Sequence, residues 1–404
     1  MAGADDPAPP TDGFARGTST FMDRTLGYAA GELDDRGAGR TAREIVQQPA
    51  LWREVAKTVA ALGGEHTAAL RPLLDRRGLR IVLAGAGTSA YAGELLAPVL
   101  SRRLGRRVEA VASTELVADP HGCFAEDVPT LLVSFSRSGD SPEAVAATEL
   151  ADRLLTECHH LVVTCNPDGR LCREHSGAKS STVLRMPAAA NDQGFAMTSS
   201  FTCMVLGVLL VLGDGMTDEM VHHLATAAER ALPGIADRAR SLVAAGYERF
   251  VYLGGGPLRG LAHESALKLL ELTAGQVLPL ADSPLAFRHG PKAVLNDRTL
   301  AVVYVSNDPY TRRYDLDLVE ELRRSLAPAS VLALAAQDGG PVADLWHLPG
   351  LDDLDDALVA LCYVLFAQVI ALHASLHLGH RPDNPFPAQE VNRVVQGVTI
   401  HPLG

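Results

Sequence analysis

The chain has 404 residues, of which 47% are apolar, and its formal net charge is −12. This length allows two domains with a core each, and the acidic balance argues against binding to nucleic acid, which requires a basic surface. The six cysteines form no CxxC pair and follow no secretory signal, so we expect reduced thiols in a cytoplasmic protein.

The first strand signal follows a long N-terminal segment. Residues 1–40 begin with a stretch rich in Ala, Pro, Gly, Asp and Thr, and we expect this range to be a loose tail. Residues 78–98, GLRIVLAGAGTSAYAGELLAP, then show a β-branched run, a Gly-rich turn and a helical pattern. This order predicts a strand, a loop of a size that suits a phosphate, and a helix.

The same pattern returns at 248–269, ERFVYLGGGPLRGLAHESALKL, at an offset of 169 residues that takes Gly85 onto Gly254. The offset holds at the next predicted strands: TLLVS from 130 matches TLAVV from 299, and HLVVT from 160 matches ASVLA from 329. The repeat predicts two α/β domains, with domain limits at 41–215 and 247–385 and a helical connector at 216–246.

Helical segments alternate with these strands, at 141–156, 200–213, 259–275, 310–325 and 357–378. Such alternation predicts doubly wound parallel sheets covered on both faces, whose ligands bind at the carboxyl ends of the strands. The last segment contains an apolar run, 357–376, of nearly membrane-spanning length. Because it stands alone and holds Gln368 and His373, we expect it to be buried in a core or a subunit interface.

Hydroxyl groups lie in two of the predicted loops. GAGTSAYAG at 85–93 places Gly87, Thr88 and Ser89 where a strand turns into a helix, so backbone amides, the helix dipole and two hydroxyls can face an anion. Taken alone, this pattern is equally typical of close packing between a strand and a helix.

The second loop, SFSRSGDSPE at 134–143, is a more specific signal. A helix cap alone would need only one hydroxyl, whereas three serines and an arginine suit a phosphate that accepts several hydrogen bonds. The residues in question are Ser136, Arg137, Ser138 and Ser141. Ser141 followed by proline is typical of a helix start. The loop lacks GKS or GKT and is therefore not a nucleotide P-loop.

A third group of candidates lies in HESALKLLEL and the following FRHGP. Glu264, Lys268 and Glu271 have helical spacing, and the first two are also explained as salt-bridged neighbours. Glu271 lies in an apolar stretch near the predicted helix end, where partial burial suits a carboxylate to take a proton from carbon. His289 lies in a Gly/Pro loop, where it can transfer protons near neutral pH.

No residue pattern indicates a metal ion or an organic cofactor. The spacing of His373, His377 and His380 imitates a metal-binding helix face, but no carboxylate completes it, and a buried cluster is the simpler interpretation. His159 and His160 are interpreted as ordinary strand positions.

Seven segments together resemble the SIS-domain phosphosugar isomerases, especially the branch of tagatose-6-phosphate ketose/aldose isomerases and galactosamine-6-phosphate deaminases. The segments are TAREIVQQPALW (41–52), GAGTSAYAG, SFSRSGDSPE, TCNPDG (164–169), NDQGFAMTSSFT (191–202), PLAFRHGP and VNRVVQGVTIHP (391–402). The resemblance implies two tandem SIS-type domains with a flavodoxin-like three-layer αβα fold, and a C-terminal tail, 386–404, that closes the active site.

The resemblance to the isomerase domain of glucosamine-6-phosphate synthase implies roles for these residues. The serine loop, with Thr88 and Ser89, holds the sugar phosphate, Glu271 moves a proton between C1 and C2, and His289 opens the ring. That histidine comes from a neighbouring subunit, which implies a homodimer or a larger homo-oligomer. The substrate-binding residues would also include Gly87 and Gln396.

One departure concerns the tail. Where that synthase carries a lysine able to form an imine with the sugar, this sequence reads Val395-Gln396-Gly397. An imine through a tail lysine is therefore not available, and we expect Lys268, the other lysine near the motif, to be structural.

Three activities stay open at the level of sequence. The first is isomerisation of an amino-sugar 6-phosphate with loss of ammonia, such as galactosamine 6-phosphate to tagatose 6-phosphate. The second is a lyase that eliminates the C3 substituent of an N-acetylamino-sugar 6-phosphate after the same C2 deprotonation. The third is a sugar-phosphate sensor without catalysis, which is disfavoured because no DNA-binding segment is apparent. In each case the ligand is a small sugar phosphate, and neither a membrane nor nucleic acid is a partner.

Overall fold

Two parallel five-stranded sheets organise the chain in the computed structural model, which describes residues 24–62, 70–338, 342 and 344–404. In chain order the strands are β1 Arg24–Thr25, β2 Tyr28–Ala29, β3 Arg80–Ala84, β4 Val108–Ala110, β5 Thr130–Ser136, β6 Cys158–Thr164, β7 Ser181–Arg185, β8 Arg249–Gly254, β9 Leu278–Asp282, β10 Thr299–Val305, β11 Val331–Ala335 and β12 Trp346–His347. The first sheet has the order β4-β3-β5-β6-β7, and the second has the equivalent order β9-β8-β10-β11-β12.

Helices surround both sheets. Those with both ends in the described ranges are α1 Glu32–Asp35, α2 Gly39–Val46, α3 Gln48–Ala61, α4 Thr88–Leu104, α5 Ser113–Ala118, α6 Pro120–Cys123, α7 Pro142–Leu154, α8 Arg170–His175, α9 Ser199–Leu212, α10 Asp218–Ala244, α11 Leu258–Leu272, α12 Pro284–Phe287, α13 Thr311–Ser325 and α14 Asp356–His377. Alternate residues of β3 enter two different apolar clusters, Ile81 in one and Val82 in the other. Both faces of the sheet are therefore covered, and the predicted doubly wound α/β fold is confirmed.

The internal repeat is visible in the strands. β5 and β10 begin at Thr130 and Thr299, and both run for seven residues at the predicted offset. The next pair departs from it: His160 pairs with Leu132, whereas Val331 pairs with Ala301, two positions later than the repeat predicts. A 3₁₀ turn, Pro328–Ser330, precedes β11 and accommodates the shift.

The apolar helix α14 is a core element. It is long and apolar enough to cross a membrane, yet its most apolar window is entirely buried inside the protein. Residues of α14 belong to one large cluster that includes β3 and β8, so the two sheets share a core. The prediction of a buried helix is confirmed, because an all-round apolar surface is covered here by other elements of the chain.

The N-terminal part differs from the prediction of a loose tail over 1–40. Residues 24–40 form the β1–β2 hairpin, α1 and the start of α2, while 1–23 lie outside the described residues. Leu26 and Leu33 are buried in the shared core, and Arg36 donates a hydrogen bond to the carbonyl of Leu376 at 2.8 Å. Apolar burial therefore orders a segment whose composition resembles a linker.

The predicted connector is the 27-residue helix α10, which packs its apolar face against α3 and α14. The C-terminal segment from residue 386 forms no helix or strand and runs over the surface. Arg153 holds its end by hydrogen bonds to the carbonyls of Leu403 and Gly404.

Candidate active site

The serine loop joins β5 to α7 at the carboxyl edge of the first sheet. The hydroxyl of Ser136 accepts a hydrogen bond from the amide of Gly139, and that of Ser138 accepts one from Asp140. Gly139 has a φ of +68°, and a Cβ there would lie 3.1 Å from the Cα of Gly169. The tight turn therefore requires glycine at this position.

Ser141 occupies the N-cap position of α7, as predicted, and Pro142 follows as the first helical residue. Its hydroxyl does not cap the helix and instead donates to Glu143 Oε2 at 2.7 Å. The hydroxyl oxygen keeps acceptor capacity, and a small rotation would turn its hydrogen toward a ligand.

One cavity of about 110 Å³ gathers five of the predicted phosphate ligands. They are Ser89, Ser136, Arg137, Ser138 and Ser141. Arg393, Val394 and Val395 of the C-terminal segment also line this cavity. The cavity is therefore bounded by hydroxyls and a guanidinium on one side and by the chain's last segment on the other.

Arg137 is only 6% exposed, and its guanidinium donates to the carbonyls of Arg393, at 2.8 Å, and Phe195, at 3.5 Å. Within the described residues no carboxylate forms an ion pair with it. A buried cation without a counter-ion is a favourable partner for an incoming phosphate.

Thr88 lies apart from this cavity lining. It is the first residue of α4, after a turn in which a Cβ on Gly85 would lie 2.6 Å from the backbone of Ser89 and in which Gly87 has a φ of +55°. The Thr88 hydroxyl faces the second domain and accepts a hydrogen bond from Lys268 Nζ at 2.9 Å.

Lys268 is fully buried on α11 and joins three groups. Its Nζ lies 2.6 Å from Glu271 Oε2, 2.9 Å from the Thr88 hydroxyl and 3.6 Å from Glu264 Oε1. Burial acts to lower the pKa of Lys268, but the carboxyl groups of Glu264 and Glu271 outweigh it and raise that pKa. Lys268 therefore stays an ammonium that fixes the position of Glu271.

The two glutamates differ in their surroundings. Glu264 is fully buried, the Lys268 ammonium lies 3.6 Å from its Oε1, just beyond hydrogen-bond distance, and burial raises its pKa to about 8. Glu271 lies at the next-to-last position of α11, with a quarter of its side chain exposed. Of the two carboxyl groups, only that of Glu271 can both contact a ligand and be held by Lys268.

His289 lies elsewhere in the same chain. It follows α12 in the loop after β9, and its side chain is exposed. Glu271 lies near the end of α11, before β9 in the chain, whereas His289 comes after β9. Gln396 is exposed and is not part of the cavity lining.

Sequence reasoning missed the support behind Arg137. The buried carboxylate of Asp192 accepts hydrogen bonds from the amides of Thr198, Ser199 and Ser200, at the start of α9. Glu44 accepts from the amides of Gln193 and Gly194, and burial, reinforced by Asp192, raises the pKa of Glu44 to about 7.

These contacts order the loop that presents the Phe195 carbonyl to Arg137. Sequence reasoning likewise missed Arg393, which donates to the carbonyl of Asp192. The segments NDQGFAMTSSFT and VNRVVQG contained both residues, but their spacing does not show that they meet.

Two sheets of the order 2-1-3-4-5, with a serine-lined turn after the third strand of the first sheet, define the chain as a tandem SIS-domain protein. The family profile of the SIS domain matches residues 73–212. The chain belongs to the family of SIS-domain proteins named D-galactosamine-6-phosphate deaminase AgaS.

Three comparisons support this membership. A protein of Streptomyces coelicolor, provisionally named D-galactosamine-6-phosphate deaminase AgaS, is 62% identical over 373 residues, which cover 91% of this chain and 97% of that protein. An Escherichia coli protein named D-galactosamine-6-phosphate deaminase AgaS is 44% identical over 90% of this chain and 95% of its own length. The crystal structure of tagatose-6-phosphate ketose/aldose isomerase from Escherichia coli matches with a TM-score of 0.84 and 42% identity, over 90% of this chain and 96% of that chain.

Proposed function

We propose that this enzyme converts an amino-sugar 6-phosphate into the corresponding ketose 6-phosphate and ammonia. The preferred candidate substrate is D-galactosamine 6-phosphate. The observation that carries the proposal is a hydroxyl-lined cavity whose lining residue Ser89 directly follows Thr88, the residue that hydrogen-bonds the buried ammonium holding the Glu271 carboxylate. The names of the relatives supply the substrate and the loss of ammonia.

The phosphate would occupy the cavity lined by the serine loop. Ser136, Ser138 and Ser141 offer hydroxyls, and Arg137 offers an uncompensated positive charge. Charge-assisted hydrogen bonds of this kind are the strong ones, so the phosphate would anchor the sugar and fix the position of its other end. We assign these residues, together with Ser89, to substrate binding.

Glu271 would be the base. In the ring-opened aldose it takes the proton from C2, and the electron pair forms a double bond between C1 and C2 while the carbonyl oxygen gains a proton. Return of the proton to C1, with loss of a proton from the nitrogen, then gives an imine at C2, and water hydrolyses this imine to the ketone and ammonia. Lys268 is a positioning residue that holds the Glu271 carboxylate within reach of C2.

The ring-opening histidine would come from a second copy of the chain. His289 is exposed, and it is not among the hydrogen-bond or ion-pair partners described for Glu271 within the chain. β9 is an edge strand; its first residue, Leu278, is 71% exposed, and Leu285 in the following helix α12 is 48% exposed. Exposed apolar side chains beside an open strand edge favour an interface between subunits. We propose a homodimer or larger assembly with shared sites.

The C-terminal segment would close the cavity. Arg393, Val394 and Val395 line it, and Arg137 is hydrogen-bonded to the carbonyl of Arg393. A cytoplasmic location fits the six free cysteines, four of which are buried.

The test of the activity is incubation of the purified protein with galactosamine 6-phosphate, glucosamine 6-phosphate and the N-acetylated form of each. We expect ammonia and a ketose 6-phosphate from galactosamine 6-phosphate and no turnover of the acetylated sugars. An ultraviolet band of an unsaturated aldehyde from an N-acetylated sugar, without ammonia, would assign the lyase instead. If all four sugars stay unchanged after long incubation, the result would contradict the proposed activity and favour a sugar-phosphate sensor.

The test of the shared site mixes two inactive variants, Glu271→Gln and His289→Ala, after dissociation and reassembly. If each site combines Glu271 of one chain with His289 of another, hybrid dimers regain one intact site. A random mixture should then recover about a quarter of the wild-type activity. No recovery in mixed dimers would place both residues in the same chain's site.

A further inference from the structure

A carboxylate, a thiol and an imidazole meet at the amino edge of the first sheet. Cys158 and His160 are the first and third residues of β6, and side chains two apart on a strand point to the same face. Asp152 lies in the last turn of α7, which packs against this face. Neighbouring residues of α7, among them Ala151, share an apolar cluster with Cys158.

The three ligand atoms are close to one another. Asp152 Oδ1 lies 2.8 Å from His160 Nε2, and the ligand atoms of Asp152, Cys158 and His160 all lie within 4.8 Å of each other. In tetrahedral zinc sites, bonds of 2.0–2.3 Å place such atoms about 3.3–3.8 Å apart. A movement of about 1 Å would therefore complete the geometry, and the Asp152 side chain, 57% exposed, is free to make it.

We propose that Asp152, Cys158 and His160 bind one divalent transition-metal ion of the zinc class. The ion takes the place of the hydrogen bond between His160 Nε2 and Asp152 Oδ1, the one proton of the neutral imidazole moves from Nε2 to Nδ1, and the Cys158 thiol releases its proton to solvent. A thiolate together with an imidazole selects zinc, cobalt or nickel over magnesium and calcium. Because the Asp152 side of the cluster is exposed, water supplies the fourth ligand.

The surroundings hold the imidazole in place. His160 is 1% exposed, and the ring of His175 packs against it at a centroid distance of 4.7 Å. His175 is in turn hydrogen-bonded to the hydroxyl of Ser181 at 2.8 Å. A preoriented ligand binds metal with a smaller loss of side-chain entropy.

The site is separate from the cavity described above. Cys158 begins β6 at the amino edge of the sheet, whereas Ser136 ends β5 at the carboxyl edge. The ion would tie the end of α7 to β6, so we expect it to raise thermal stability and to leave turnover unchanged.

The experiment is a titration of the metal-stripped full-length protein with Co²⁺, followed by the near-ultraviolet band of thiolate-to-cobalt charge transfer. We expect one Co²⁺ per chain, displacement by Zn²⁺, and a rise in melting temperature with Zn²⁺ but not with Mg²⁺. Cys158→Ser should abolish the band, and Asp152→Asn should weaken binding by about tenfold or more.

Two matched controls make the result specific. His159→Gln changes the neighbouring strand residue, which pairs with Glu157, and Cys123→Ser changes the other half-buried thiol. Both should bind Co²⁺ as the unaltered protein does, whereas His160→Gln should not. Because His160 is buried, its replacement could abolish Co²⁺ binding through misfolding. Asp152 is exposed, so weaker binding in Asp152→Asn reports the loss of a ligand and not misfolding. A protein that shows no charge-transfer band, or a Cys158→Ser variant that keeps it, would overturn the proposal.

Discussion

Lys268 donates a hydrogen bond to the hydroxyl of Thr88, with Nζ 2.9 Å from Oγ1, and so joins the end of α11 in the second domain to the start of α4 in the first. The same ammonium lies 2.6 Å from Glu271. The position of the proposed base therefore depends on the turn that follows the first strand of the other domain.

Replacing Lys268 with methionine tests this dependence. The side chain keeps its length, but Glu271 loses its fixed partner and can move away from C2. A misplacement of about 1 Å costs about 10²-fold in rate, so we expect kcat to fall by about that factor while KM changes little. Steady-state kinetics with galactosamine 6-phosphate measure both constants.

Thr88→Val is the matched control for Lys268→Met, because it removes one hydrogen bond and leaves the ion pair with Glu271 in place. The kcat of Thr88→Val should therefore fall less than the kcat of Lys268→Met. A loss confined to KM in Lys268→Met would assign Lys268 to substrate binding.

Glu271→Gln tests the base directly. Glutamine can still accept a hydrogen bond from Lys268, but it cannot take a proton from C2, and we expect kcat to fall by about 10²–10⁴-fold. Exchange of the C2 hydrogen with deuterated water, followed by NMR, should stop as well. Binding of the sugar phosphate, measured by calorimetry, should stay near the wild-type value. Equal loss of binding and exchange would show that Glu271 holds the substrate.

The strand and helix pattern of the chain was predictable because its signals are local. Buried parallel strands are visible in the sequence as apolar runs. Both ends of each of the five predicted helices lie within three residues of the ends found in the structure. These helices are α7, α9, α11, α13 and α14. The serine loop was predictable for the same reason, since its three serines and Gly139 lie within residues 136–141 and belong to one turn.

The parts that escaped prediction depend on contacts between distant segments. Arg393 meets the loop of Asp192 across 201 positions of sequence, and Lys268 meets Thr88 across 180. Residues 24–40 lack a helical or strand period but are ordered because Leu26 and Leu33 enter the core. No spacing rule encodes such tertiary contacts in a single sequence.

Replacing Ser136 and Ser138 together with alanine tests the phosphate cavity. Each hydrogen bond to a charged group contributes about 1.5–3 kcal/mol, so loss of two should raise KM by about 10²-fold or more. kcat should change far less, because the phosphate is bound in the same way before and during the proton transfer, so the loss of these hydrogen bonds weakens both states equally.

Ser134→Ala is the control for the serine loop. Ser134 is on the same strand as Ser136, but its buried hydroxyl has no hydrogen-bond partner among the described residues and lies outside the cavity lining. Its KM should equal that of the unaltered protein. A pure kcat effect in the double variant would contradict a role in phosphate binding.

A chain ending at residue 390 tests the C-terminal segment. It lacks Arg393, Val394 and Val395, so the cavity opens to solvent and Arg137 loses the carbonyl of Arg393 as acceptor. We expect KM to rise and the melting temperature to change little, because most of the removed residues are exposed. A shortened protein with unchanged KM would show that the segment does not close the site.

The buried carboxyl of Glu264 should make the protein less stable as the pH rises from about 4.5 to about 8. Burial raises the pKa of Glu264 to about 8, from an ordinary value near 4.5 that applies to the unfolded chain. Between these values the folded state keeps a proton that the unfolded state has released. Its contribution to stability is therefore complete below pH 4.5 and is lost as the pH rises through 8.

Glu264→Gln removes this dependence while keeping the shape of the side chain, and it leaves the hydrogen bonds of Lys268 to Thr88 and Glu271 in place. In the unaltered protein, Glu264 alone should lower the free energy of unfolding by up to about 1.4 kcal/mol per pH unit across this window. Other carboxyls with raised pKa values, such as those of Glu44 and Asp315, act equally in both proteins and cancel in the difference. Urea unfolding of both proteins at several pH values from 5 to 8 should give curves that converge or cross as the pH rises. Parallel curves would show that Glu264 is already ionised in the folded state.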